Sequence, residues 1–514
     1  VATKTFSRAD NKFSEVVLGI VSPVGTDLAK TIDALSGSFS AKGYKVYHIK
    51  VSNTIRDMAG AAGYAGLDST TRFKKVSSYI SYGNLLRENF GNAFLSAMVI
   101  AQIAHHRINK SGEDKSFSSK VYIVDQLKTV EELDLLREVY GSAFFQISVY
   151  SARDVRVDNL SKIMAHDVKR GDRNPFRKDA EALVVRDEDE SDVPNGQKVG
   201  KIFQLADVVI NADKIDENNS VQKQIERFTE LLFGSNSYSP NRLEYGMFVA
   251  YAAALRSLDL SRQVGAAIFR ETGEIAALGT NEVPKAGGGT YWTDDKFDAR
   301  EFKLEVDSND GRKEELMNEV VEILLGPNPN IGETKRKLLE KSQFMDALEY
   351  GRIIHAEMSA LSDAARLGIS VNGGTLYCTT FPCHMCSKHV VAAGIRKVVF
   401  LEPYPKSLTA DLHSDSVKIE GSSRGIYDPF PAVEYIPFFG ITPRRYRELF
   451  TRAKRKKGGK FEEFQGGEPQ PIFATLAPWY AVRENEVIEL TKQSLSEFLK
   501  DGSREADAAN QSGE

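Results

Sequence analysis

Cysteine is scarce in this chain: three in 514 residues, at positions 378, 383 and 386. That number excludes a disulfide framework and suits a reducing compartment. The sequence also has no run of about 18 consecutive apolar residues, so no segment qualifies as a transmembrane helix. The opening Val1-Ala-Thr-Lys-Thr-Phe-Ser-Arg8 lacks the apolar stretch of a secretory leader, and the cytoplasm is the expected location. Net charge is small, −4 from 67 basic and 71 acidic side chains, so no global field favours a polyanion and long nucleic acid is a poor candidate substrate. There is no internal repeat. The length suits two to four domains, each large enough to bury a core.

Two of the three cysteines fall in Pro382-Cys383-His384-Met385-Cys386, and His355-Ala356-Glu357 lies shortly before them. A catalytic zinc takes three protein ligands and keeps a fourth position for water, and His355, Cys383 and Cys386 supply one imidazole and two thiolates that balance the charge of Zn²⁺. Glu357 is then free to move protons between that water and a substrate ring, as a shuttle and not a ligand. The arrangement is the known H-x-E…P-C-x-x-C signature of zinc deaminases. Apolar residues at helical spacing predict a helix over 358–368, with His355 and Glu357 near its N-terminal end. Residues 374–380 read as a buried strand, and Pro382 suits the first position of a second helix carrying Cys383 and Cys386 on its first turn. The positive end of that helix favours thiolates.

A lone C-x-x-C is also the mark of a redox pair or of half a structural zinc site, and a lone His-x-Glu carries almost no information. No second pair of cysteines or histidines completes a set of four structural ligands, so the catalytic reading is preferred. Cys378, in the strand, reads as a small buried hydrophobe, and His384 as a residue between ligands.

The first part of the chain has a different pattern. Residues 15–31 run from an apolar strand through Ser22-Pro-Val-Gly25 into a helix start, the context of a P-loop, with Gly19 and Gly25 as the phosphate-approach glycines. Aligned on Gly25, the lysine position holds Thr26 and the magnesium-ligand position holds Asp27, so the loop can cradle phosphate but lacks the usual charge for hydrolysis. Further strands are expected at 43–51, 119–125, 144–150 and 206–211, separated by helices such as 130–140, which predicts a parallel α/β sheet. The third ends in Asp125, a candidate contact for Mg²⁺ held with a nucleotide. Between the last two, the basic stretch 169–178 and the acidic run 186–190 suggest a lid over the loop, though a solvated loop is preferred.

A Ser/Asn/Pro/Gly linker at 232–241 ends this domain, and a helix, a β-hairpin and helix–strand–helix–strand follow. The expected domains are 14–233, a P-loop NTPase-like parallel-sheet domain; 240–460, a three-layer α/β/α cytidine deaminase-like domain with an insertion at 285–350; and 461–514, an extension ending in a disordered tail from 500.

Arg262-Gln-Val-Gly265-Ala-Ala-Ile268, Leu278-Gly-Thr-Asn281-Glu-Val-Pro284, His355-Ala-Glu357 and Thr379-Thr-Phe-Pro382-Cys383-His-Met-Cys386 resemble the deoxycytidylate deaminase family. The arrangement over residues 15–450 is similar to the bacterial anti-phage dCTP/dCMP deaminases, in which a P-loop kinase-like domain precedes the deaminase. The resemblance implies Zn²⁺, hydrolytic conversion of dCTP or dCMP to the deoxyuridine nucleotide, a sugar contact from Asn281, a substrate-facing loop at 402–413 with Lys406 as the phosphate contact, and depletion of dCTP against phage. A homo-oligomer without membrane attachment is expected, restrained by a regulatory nucleotide or by an inhibitory RNA on the basic tract 444–460. A polynucleotide deaminase using that tract, and a non-enzymatic nucleotide sensor with structural zinc, are the competing readings.

Overall fold

The computed structural model describes residues 14–107, 117, 119–188, 190, 195–213, 220–326, 332, 347, 349–403, 407–452, 455–463, 471–473 and 478–511. The chain divides into two units, residues 1–239 with 439–514, and residues 240–438.

In the first unit, strands β1 (Val16–Val21), β2 (Lys45–Lys50), β3 (Lys120–Asp125), β4 (Phe144–Tyr150) and β5 (Val208–Asn211) form a parallel sheet in the order β5-β4-β1-β3-β2. The central strands are apolar throughout because helices cover both faces. Val17, Val21, Tyr122 and Val124 pack on one side with helices Phe94–Arg107 and Val130–Tyr140. Val16, Leu18, Ile20, Val121 and Ile123 pack on the other with helices Ala29–Ala41 and Val221–Leu232. Alternate residues thus feed opposite cores, as the two-residue strand period requires.

The second unit holds β6 (Gly265–Phe269), β7 (Ile275–Thr280), β8 (Thr375–Thr380), β9 (Lys397–Glu402), β10 (Val417–Ile419) and β11 (Val433–Pro437), in the order β10-β11-β9-β8-β6-β7. The β6–β7 hairpin is antiparallel, β6 is antiparallel to β8, and β8, β9, β11 and β10 run parallel. Gly265 and Gly279 explain how helices close on both faces. Gly279 sits opposite Ala266, so Gly265 and Gly279 face opposite sides of the sheet. A Cβ on Gly265 would lie 1.9 Å from the Ala250 carbonyl oxygen of helix Arg242–Ala254, and one on Gly279 would lie 2.0 Å from that of Ala356. The three-layer arrangement depends on these two absent side chains.

The deaminase-like unit ends earlier than the expected residue 460. β12 (Gly440–Ile441) pairs antiparallel with β5, Ile441 is buried in the first unit's core, and Thr442 Oγ1 donates to the Ala206 carbonyl at 2.8 Å. Residues 461–514 are likewise part of the first unit. Helix Tyr480–Gln511 starts on a buried ionic cluster in which the Arg107 guanidinium bonds Glu15 (2.8 Å) and Glu484, and Tyr480 donates to Glu15 (3.0 Å). Burial pushes the Glu15 carboxyl upward, against the pull of Arg107. The segment expected as a disordered tail continues this helix to Gln511, consistent with its Ala, Glu and Arg content. Among the described residues no helix is long and apolar enough to cross a membrane.

Candidate active site

Helix Ala356–Arg366 begins at His355, its N-cap, and helix His384–Ala392 begins at Cys383, also an N-cap. Both caps have extended backbone and neither caps with its side chain, so imidazole and thiol remain available. Pro382 therefore stands one residue before the cap, not at the first helical position as its sequence context suggests. The single ligand atoms of His355, Cys383 and Cys386 all lie within 4.8 Å of one another. His355 Nδ1 is 3.4 Å from Cys383 Sγ and 3.3 Å from Cys386 Sγ. A tetrahedral zinc, with bonds of about 2.0–2.1 Å to nitrogen and 2.3 Å to sulfur, would separate N and S by roughly 3.5 Å. The donor set fits that ion.

The electrostatics fit it too. The hydrogen bond from Cys386, with His355 beside it, holds the Cys383 thiol below the ordinary range, while Cys383 pushes the Cys386 thiol well above it. The bond to Cys383 raises the His355 imidazole. Sulfurs this close share one negative charge unless a cation lies between them, and a divalent metal would let both ionise. Glu357 lies outside this set of ligands, with Oε2 3.5 Å from Cys386 Sγ. Burial is the chief cause of its raised pKa. Cys378 is fully buried in the hydrophobic core of the second unit, as its strand position suggests, and burial, with the Glu357 carboxylate nearby, pushes its thiol well up.

Behind the second helix, four hydroxyls form a brace that no sequence pattern singles out. Thr409 Oγ1 lies 2.9 Å from both Ser387 and Ser407 Oγ, Ser407 Oγ donates to the Pro382 carbonyl at 3.0 Å, and Tyr435 Oη donates to Ser387 at 3.1 Å. Ser407 and Thr409 are thereby tied to the residue preceding Cys383. Lys406 lies outside the described residues. Asn281 is buried, with Nδ2 donating to Asp259 Oδ2 and the Arg262 carbonyl (2.8 Å each) and Oδ1 accepting from Val264 N (2.7 Å). It braces the loop before β6.

At the first unit's loop, the expected residues separate. Gly19 lies inside β1, where a Cβ would meet Phe144 and Leu127 side chains at 2.6–2.8 Å, so strand packing and not phosphate approach requires it. Gly25 has φ +90° and lies at the turn itself. Asp27 Oδ1 accepts from Ala29 N (3.1 Å) at the helix start. Thr26 Oγ1 and Asp125 Oδ1 are buried without a hydrogen-bond partner among the described residues, and Asp125 Oδ2 lies 3.4 Å from His48 Nε2. The acidic run is no solvated loop, because Asp187 and Glu190 are buried and paired. In the basic tract, Arg445 donates to the Phe144 carbonyl and pairs with Asp207 and Glu448, and Arg452 donates to the Ser235 and Leu231 carbonyls. Those guanidinium groups are committed to the fold and not offered to a strand.

Residues 240–402 match the family described as the cytidine and deoxycytidylate deaminase zinc-binding region. The deoxycytidylate deaminase of Enterobacteria phage T4 is 33% identical over 167 residues, 31% of this chain and 77% of that protein. The chain belongs to the deoxycytidylate deaminase family. A relative in Saccharomyces cerevisiae, also a deoxycytidylate deaminase, is 24% identical over 310 residues, 58% of this chain and 81% of its own length, a span longer than residues 240–438. Among solved structures, dCMP deaminase from the cyanophage S-TIM5 aligns over 39% of this chain and 100% of its own, at 19% identity and a TM-score of 0.22.

Within this family fold, Gly279 carries a direct test. Gly279→Ala places a methyl against the backbone that carries His355 and Glu357, and overpacking of that kind costs on the order of 3 kcal/mol. Thermal unfolding should show the loss together with weaker metal retention. An unchanged melting temperature would mean that the helix is free to shift.

Proposed function

We propose that the chain hydrolytically deaminates free deoxycytidine nucleotides, dCMP or dCTP, to deoxyuridine nucleotides. One observation supports this above others: a buried Glu357 beside three convergent ligand atoms, on two helix N-termini. His355, Cys383 and Cys386 would hold Zn²⁺, which when bound supplies Lewis-acid activation of the attacking water. Glu357 takes a proton from that water as its oxygen bonds to C4 and delivers it to N3 of the cytosine; it then moves the remaining proton from the C4 hydroxyl to the amino group, so that the C4–N bond breaks, ammonia leaves and the C4 carbonyl of uracil forms. A carboxyl whose pKa is raised by burial suits a group that must both accept and return protons. The test is ammonia release from dCMP and dCTP by the zinc-containing protein, lost on chelation and restored by zinc. Ammonia release that survives complete metal removal would exclude this chemistry.

Asn281 is proposed to face the sugar while bracing its loop. Asn281→Ala removes three buried hydrogen bonds and should cost on the order of 1–3 kcal/mol. A lower kcat/KM for dCMP beyond the change in melting temperature supports the sugar contact. A lower melting temperature with unchanged kcat/KM leaves Asn281 a loop brace.

For the first unit we propose a P-loop kinase-like regulatory domain that binds nucleotide, with Mg²⁺ at Asp125, and transfers little or no phosphate. The sheet order β5-β4-β1-β3-β2, with the Gly25 turn after its central strand, supports this, since ligands of open α/β sheets bind at such a point of reversal. Restraint is needed because unchecked drainage of dCTP would halt the host's replication. Phage defence is the role this combination suits, with the protein acting as a homo-oligomer in the cytoplasm and released by a nucleotide or by loss of an inhibitory RNA.

A further inference from the structure

The turn after β1 lacks the lysine of a phosphate loop in its own sequence, yet an ammonium stands at it. Lys128, just beyond β3, donates from Nζ to the Ser22 carbonyl (3.1 Å) and to Asp187 Oδ1 (2.8 Å). The other oxygen of Asp187 accepts from the backbone N–H of Val24, inside the turn, at 2.7 Å. A second cation flanks the same turn. The Arg156 carbonyl is the atom a Cβ on Gly25 would strike, at 2.6 Å, and the Arg156 guanidinium bonds Glu188 Oε1 at 2.6 Å. Arg156 is buried, and its Nη1 has no partner among the described residues. Thr26 Oγ1, in the turn, is also buried and unpartnered.

Asp187 and Glu188 are the last two residues of helix Arg177–Glu188. Carboxylates are disfavoured at a helix C-terminus, where the macrodipole is negative. What compensates here is Lys128, Arg156 and the Val24 N–H, the group of donors that would recognise a phosphate. The two carboxylates are thus held by donors of the kind that bind phosphate oxygens.

We propose that this turn is a phosphoanion site whose cations are Lys128 and Arg156, held closed by the carboxylates of Asp187 and Glu188, so that nucleotide phosphates bind by displacing the end of helix Arg177–Glu188. The proposal rests on the nucleotide reading of the first unit and adds the residues that set its affinity and relay its occupancy. A site that must first open binds in proportion to its open fraction, so the carboxylates lower the apparent affinity.

The test is calorimetric titration of the full-length protein with ATP and, separately, with inorganic tripolyphosphate, on the natural sequence and on D187N, E188Q and K128M. D187N and E188Q should bind ATP at least tenfold more tightly, and K128M should lose binding. An equal gain for tripolyphosphate identifies the phosphates alone as the recognised group, and a gain confined to ATP identifies a nucleotide. Glu188 is partly exposed, so E188Q decides the matter if D187N fails to fold. If the natural protein binds ATP and neither folded variant binds more tightly, the carboxylate closure is wrong and the nucleotide reading stands. No binding by any folded form overturns both.

Discussion

Glu357→Ala is expected to lower dCMP deamination by roughly 10²–10⁴-fold, the usual contribution of a positioned acid–base group, while zinc stays near one per chain. The three ligand atoms converge without it, and its nearest polar contact in the cluster is Cys386 Sγ at 3.5 Å. Removing a buried carboxyl also removes its desolvation cost, so the melting temperature should hold or rise. Metal analysis and initial rates on the same preparation check this. Loss of zinc along with activity would put Glu357 among the ligands, and appreciable residual turnover would remove it from the chemistry.

Cys386→Ser is expected to do the opposite in sequence of cause: metal is lost first, and activity and stability follow. Cys386 is fully buried, and a serine hydroxyl does not ionise to replace a thiolate ligand. Because metal binding and folding share free energy, the destabilisation should reach at least about 3 kcal/mol. Cys378→Ser is the matched control. That thiol is as deeply buried but stands outside the ligand cluster, so zinc should be retained. Metal content and urea unfolding of the two variants separate the outcomes, and equal metal loss from both would show that the cluster responds to packing and not to ligation.

The deaminase-like centre was legible because its chemistry is local: His355 and Glu357 share one helix start, Cys383 and Cys386 the next. Even there, the backbone decided a detail that spacing could not, since Cys383 takes the cap position and leaves Pro382 outside the helix. The hydroxyls of Ser387, Ser407 and Thr409 carry no pattern of their own, and only the fold joins them and brings Ser407 and Thr409 to the Pro382 carbonyl. In the first unit, strands announced themselves as apolar runs between helices, but Lys128 reaches a turn 106 residues earlier in the chain, which no motif alignment can show. The acidic run 186–190 reads as solvated by composition because composition does not say which carboxylates find cations. Chain order also misled at 439–460, where Ile441 returns to β5 and its core.

The most direct measurement is chromatography of the products after purified, zinc-containing protein is incubated separately with dCMP, dCTP, CTP and single-stranded DNA at low and moderate salt. The expected result is dUMP or dUTP from the free deoxynucleotides, little change with salt, and an unaltered DNA strand. Deamination confined to the strand and collapsing as salt rises, as counterion release dictates for such binding, would contradict it, as would four unaltered substrates from metal-replete protein.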